Sequence, residues 1–120
     1  MSRFTIELTS LRFFAHHGLY AEEQLTGNEF EVDLWMECRA PEQVVSSLEE
    51  TINYGEAYEV VKEEFGRPTP LLETLAMRIA DSLQERFTLV EKITIRIRKL
   101  HPPIIGFTGS VAVTYSREIR

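Results

Sequence analysis

Residues 91–105 read EKITIRIRKLHPPII, and the fold turns on the parity of this stretch. Ile93, Ile95 and Ile97 alternate with Thr94, Arg96 and Arg98, the period-two pattern of a strand with one buried face and one wet face. Continued by two, the count sets Lys99 on the isoleucine side, and Pro102 and Pro103 stop the strand just beyond it. An ammonium in phase with an apolar stripe has two readings. Either its stem packs on Ile97 while the amine reaches water, or it stands at the rim of an apolar pocket. There, desolvation disfavours the charged form, lowers the pKa and suits proton transfer near neutral pH. In the second reading the prolines hold one wall of a site still.

The same alternation appears three more times. RFTIELTSLRF (3–13) predicts a first strand with Phe4, Ile6 and Leu8 on one face, and NEFEVDLWMECR (28–39) a second with Phe30, Val32, Leu34 and Met36 together. GSVAVTYSR (109–117) predicts the last, with Val111, Val113 and Tyr115 in phase. From about Ala15 to Gly27 the sequence reads as a loop, too long for a hairpin turn and of a length that is often functional. A helix is expected from Asn53, an N-cap followed three residues later by Glu56, to a stop at Gly66 before Pro68. A second has Thr69 and Pro70 at its start and a stripe of Leu72, Leu75, Ala76, Ile79 and Leu83, which Phe87 extends by one turn. The order strand, strand, helix, helix, strand, strand predicts an α+β fold, a four-stranded antiparallel sheet with two helices on one face. Such a sheet has two open edges, and a neighbouring subunit is one way to cover them.

Bulk properties bound the function. The 120 residues make one domain, 1–120, with a hydrophobic content of 43% and a charged content of 27%, ordinary for a soluble globular chain. No apolar run approaches the roughly 20 residues of a membrane span, and the strand-like start MSRFTIEL lacks the pattern of a signal peptide, so a cytoplasmic protein is expected. A net charge of −6 with no basic cluster larger than RIRK argues against nucleic acid or an anionic membrane as partner. The one cysteine, Cys38, shares parity with Phe30 and Met36 and reads as a small core residue.

Three further stretches carry candidate chemistry. In PLLETLA (70–76), Glu73 lies in a first helical turn, where the macrodipole alone would favour an acid. It also borders an apolar stripe, from which a carboxylate accepts two parallel hydrogen bonds from a guanidine-like edge, the way acids read guanines and pterins. In TINYGE (51–56), Tyr54 is either a packing aromatic beside Tyr58 and Val61 or a hydroxyl at a pocket's edge. In HHGLYAEE (16–23), adjacent His16 and His17, with His101 as a third ligand, raise a metal hypothesis that their spacing disfavours, because neighbours in an extended chain point apart. Gly18 permits close approach or positive φ, and at most one of Glu22 and Glu23 faces inward.

IELTSLRFFAHHGLYAEEQLTGNEFEVDL, TINYGEAYEVV, LLETLAMRIADSL and IRIRKLHPPIIG, in this order, make the chain resemble the dihydroneopterin aldolases of folate biosynthesis over nearly its whole length. The resemblance implies the tunnelling fold, in which sheets of neighbouring subunits join into a barrel-forming ring, as a tetramer or a stacked octamer. It also implies active sites at subunit interfaces, a pterin substrate, and neither metal nor cofactor. Carried over by motif, Lys99 matches the catalytic lysine and Glu73 the pterin-anchoring acid. Leu72 matches a backbone contact, and Tyr54 matches the tyrosine that a neighbouring subunit supplies, with Ile52 and Asn53 beside it in the substrate site. Counting from Gly18 to Gly27 sets Glu23, rather than Glu22, on the substrate-contacting glutamate. The implied reaction is a retro-aldol cleavage of 7,8-dihydroneopterin that needs no Schiff base, because the dihydropterin C=N bond is already an electron sink. The KLH step at 99–101 is also similar to dihydroneopterin triphosphate 2′-epimerases, which share the Glu, Tyr and Lys set. An epimerase, or a side activity of that kind, a non-catalytic pterin-binding module and a zinc-dependent pterin enzyme are the alternatives.

Overall fold

The computed structural model describes residues 2–119. Strands β1 (Arg3–Ala15), β2 (Asn28–Arg39), β3 (Val90–Lys99) and β4 (Val111–Glu118) form one antiparallel sheet in the order β1-β2-β3-β4. Its register pairs Val32 with Ile97, Leu34 with Ile95 and Met36 with Ile93, so the alternating apolar residues of β2 and β3 fall on one face. That face is wholly buried against helices α2 (Tyr54–Phe65) and α3 (Leu72–Arg86), which contribute Ala57, Val61, Leu75, Ile79 and Leu83. Each fully buried Leu or Ile stabilises by about 1.5–3 kcal/mol, so this layer dominates the fold. Cys38 lies in it, and burial pushes its thiol pKa up, away from nucleophilic use.

The opposite face is polar and tied by cross-strand pairs. Trp35 Nε1 donates to Glu7 at 3.0 Å, the Arg96 guanidinium sits 5.5 Å above the Trp35 ring, and Arg12 reaches Glu31 at 3.2 Å. Among the described residues no helix is long and apolar enough to cross a membrane.

The expected α+β order is present, with corrections at the element ends. The segment read as a loop carries a short helix, α1 (Ala21–Thr26). Helix α3 begins at Leu72 rather than at Thr69 and Pro70, because Thr69 is held elsewhere and Leu71 is extended (φ −118°, ψ 136°). It ends at Arg86. Phe87 leaves the helix at φ −117° yet keeps its ring buried. Asn53 caps α2, its Oδ1 accepting from the Gly55 and Glu56 amides, whereas the Glu56 carboxylate pairs with Arg86 at 3.1 Å instead of completing a capping box.

β1 changes phase in mid-strand. Up to Leu8 the even residues face the helices; from Leu11 the odd ones do, because the register shifts between the two. Ser10 takes up the extra residue in a left-handed conformation (φ 58°), and its amide is caught by Asp33 Oδ1 at 2.8 Å. The inner face therefore runs Ile6, Leu8, Leu11, Phe13, Ala15.

One histidine belongs to the core. His17 is wholly buried between Phe30 and Phe65, and its Nδ1 accepts the Thr69 amide at 3.0 Å. Desolvation, then the positive charge of Arg78, lower its pKa from 6.5 to about 4. Between those values the unfolded chain binds a proton the folded chain refuses, so stability is fully present above pH 6.5 and is lost as pH falls through 4. Chemical unfolding of wild type and His17→Asn at pH 8 and pH 4.5 is expected to show wild type losing about 2 kcal/mol more than the variant. Equal losses would mean that His17 titrates normally.

Candidate active site

Lys99 is the last residue of β3, opposite Phe30 on β2 and Val111 on β4. It keeps the parity of the isoleucines, and its side chain is only 13% exposed. A desolvated ammonium is costly unless a carboxylate meets it. Glu23 does so: its Oε2 lies 2.5 Å from Lys99 Nζ, and the side chain is 7% exposed. The other carboxylate oxygen, Oε1, accepts the Tyr20 amide at 3.4 Å, as an acid at the third position of a helix reaches back to its cap. One oxygen thus fixes the residue to α1 while the other faces the lysine. Glu22 remains exposed, so the inward acid is the one reached by counting from Gly18 to Gly27.

Beyond Lys99 the chain is held by a residue the sequence reading passed over. Asn28 Nδ2 donates to the His101 carbonyl at 2.6 Å and Asn28 Oδ1 accepts the His101 amide at 3.2 Å, while the Leu100 amide bonds to the Glu29 carbonyl at 3.0 Å. The segment is locked before Pro102 and Pro103 begin. An asparagine after a glycine reads as a turn residue, and nothing in its spacing pointed to a partner 73 positions away.

A cavity of about 390 Å³ opens over this pair. Leu19, Leu71, Leu72, Ile104 and Val111 make it apolar, and its polar side chains are few: Tyr20, Glu23, Glu73 and Lys99. That is the size and make-up of a small-molecule site. Glu73 is the second residue of α3; the first amides of a helix have no intrahelical partner, and the cap Leu71 offers them no side-chain acceptor. Dipole and free amides there favour a ligand carbonyl beside the Glu73 carboxylate.

Lys99, Glu23, Glu73 and Leu72 are therefore brought together, and three other expected residues are not. Tyr54 is 70% exposed on the first turn of α2, Asn53 caps that helix, and Ile52 is in the core; none lines the cavity. His16 and His17 diverge, His17 to Thr69 and His16 to the edge of the Phe14 ring. His101 lines a neighbouring cavity of about 300 Å³ with Glu22 and Glu29, on which Glu23 also borders. No three His, Cys, Asp or Glu side chains gather at metal-binding distance among the described residues.

Known proteins match this chain in sequence and in fold. The sequence profile of the dihydroneopterin aldolase family covers residues 6–116. A dihydroneopterin aldolase of Bacillus subtilis is 37% identical over 115 residues, 94% of this chain and 96% of that one. In three dimensions the E. coli dihydroneopterin aldolase in complex with neopterin superposes with a TM-score of 0.77 at 19% identity, over 95% of this chain and 98% of that one. A Burkholderia dihydroneopterin aldolase bound to guanine gives 0.76 at 18% identity, over 98% and 93%. On the profile match and the identity shared along the whole domain, the chain belongs to the dihydroneopterin aldolase family.

Proposed function

We propose that this chain cleaves 7,8-dihydroneopterin by a retro-aldol reaction, giving 6-hydroxymethyl-7,8-dihydropterin and glycolaldehyde, with side chains alone as acid and base. The observation that carries the reading is the buried Lys99–Glu23 pair lining an apolar cleft that also holds a free-standing carboxylate, Glu73. Family membership and the neopterin and guanine carried by its structural neighbours support the same substrate class.

Glu73 would accept two parallel bonds from the 2-amino and N3–H groups of the pterin, a charge-assisted pair that fixes the ring plane. The first amides of α3, at Leu72 and Glu73, would receive the ring carbonyl. The trihydroxypropyl chain then reaches Lys99 and Glu23. Cleavage of C1′–C2′ needs a proton removed from the 2′-hydroxyl and a sink for the electron pair left on C1′. Glu23 is the nearest carboxylate base, and protonation of N5 by Lys99 turns the C6=N5 bond into that sink. C2′ leaves as the aldehyde of glycolaldehyde. A proton then returns to C1′, N5 gives its own back to Lys99, and no proton is gained or lost. Holding acid and base 2.5 Å apart lets charge move between them without drawing on bulk water.

Tyr54 completes the site from a neighbouring copy, where it would deliver the C1′ proton and be reprotonated with the proton that Glu23 took from the 2′-hydroxyl, so that both side chains end as they began. Two features support that arrangement: among the described residues the outer edges of β1 and β4 are unpaired, and apolar Leu19, Ile104 and Val111 are exposed at the cleft. The assembly is a homo-oligomeric ring, single or stacked, and the reaction is cytoplasmic.

Lys99→Ala is expected to lower the rate of glycolaldehyde release by about 10²–10⁴-fold with little loss of pterin affinity, the weight of a general acid. Turnover within a few-fold of wild type would remove Lys99 from the chemistry. Borohydride added during turnover should leave the protein mass unchanged; a reduced adduct on Lys99 would replace this mechanism by a Schiff base. Glu73→Gln should weaken guanine or 6-hydroxymethylpterin binding by roughly 10–100-fold, since an amide cannot accept both bonds. Fluorescence titration reads this directly, and equal affinity would take Glu73 out of the site.

A further inference from the structure

The walls of the cleft come from segments far apart in sequence, Glu23 on α1 and Glu73 on α3, and the loop ahead of α3 is fastened to the chain ahead of α1 at one residue. The Thr69 amide donates to His17 Nδ1 at 3.0 Å, and the Thr69 carbonyl accepts the Gly18 amide at 3.0 Å. Both main-chain groups of Thr69 are therefore held by consecutive residues. Its hydroxyl is fixed as well, donating to the Arg67 carbonyl at 2.9 Å and accepting from Arg78. His17 cannot swing away, because the rings of Phe30 and Phe65 stand 5.4 and 5.1 Å from its own. Three residues separate Thr69 from Glu73, and Pro70 restricts the first of them.

Gly18 faces the other way too. A Cβ built there would lie 2.5 Å from Glu23 Cβ and Cδ and 2.7 Å from Oε1, closer than atoms approach. Any side chain at 18 would force Glu23 out of the position in which it meets Lys99.

We infer that His17 and Gly18 are positioning residues: through Thr69 they hold the pterin-recognition end of the cleft at a fixed distance from its reacting end, and Gly18 leaves the space in which Glu23 meets Lys99. This rests on the aldolase reading above and adds to it two residues that touch neither substrate nor reacting atoms. The roles separate by kinetic signature. His17 acts on the loop that carries the anchor, so its loss falls on binding. Gly18 acts on Glu23, so its loss falls on turnover.

The test uses the full chain with 7,8-dihydroneopterin as substrate and 6-hydroxymethyl-7,8-dihydropterin as binding probe. His17→Phe keeps the aromatic volume between Phe30 and Phe65 and removes the acceptor; KM and Kd should rise roughly tenfold while kcat changes less than about threefold. His17→Asn offers Oδ1 near the place of Nδ1 and should recover most of that loss. Gly18→Ala should lower kcat roughly 10–100-fold with a smaller change in Kd than His17→Phe. Wild-type KM and Kd in folded His17→Phe, or His17→Asn as impaired as His17→Phe, would overturn the positioning role of His17. Wild-type kcat in Gly18→Ala would overturn that of Gly18, and this arm decides the proposal if His17→Phe does not fold. Should wild type bind the probe yet release no glycolaldehyde, the aldolase reading fails and the Kd arm still judges the clamp.

Discussion

An ammonium at the inner end of an apolar strand has to be met by a carboxylate, and much of the active-site half of the molecule follows from meeting that demand. Lys99 is turned inward by the pleat of β3, which the isoleucines on either side of Arg96 fix energetically. Glu23 reaches it only because α1 forms between β1 and β2 and uses one oxygen of the same carboxylate at its own start. The short helix, the glycine at 18 and the asparagine latch on His101 all serve to hold one charged pair where water is scarce. Such a pair adds little net stability. In the proposed mechanism its value lies in holding an acid and a base together in a water-poor setting.

The sequence carried the long elements well, because they follow from periodicity. Period two in residues 28–39 and 91–99 and the helical stripes of 54–65 and 72–83 each bury one face, and the faces agree. What it did not carry was whatever depends on a single conformational choice. The phase change in β1 hides in Thr9 and Ser10, neither of which is a glycine, and it is held by an aspartate 23 residues away. The helix in residues 21–26 is too short to show a period. Phe87 continues the stripe of α3 in spacing but not in backbone, since a ring can stay buried after its helix has ended.

For the site, parity alone singled out Lys99, and Glu73 stood out as an acid on the border of a stripe. The choice between Glu22 and Glu23, and the placing of Tyr54 in a neighbouring subunit's site, came from resemblance rather than from the residues. Geometry then separated these cases. Glu23 is inward and Glu22 is not, whereas Tyr54 stands in solvent away from the cleft. His17 was read as half of a doubtful metal pair and is instead an uncharged acceptor inside an aromatic cage. No one-dimensional pattern distinguishes those two fates, because the partner of His17 is a backbone amide 52 residues away.

The break in β1 has a further consequence for behaviour at high concentration. The open edge of a strand of 13 residues is a template on which foreign strands can add. The kink at Ser10 bends this one and raises its twist, so its two halves cannot both lie flat against a straight intruder. Each half is then a docking length of only a few residues, a shape that disfavours recruitment into fibrils wherever no neighbouring copy covers the edge.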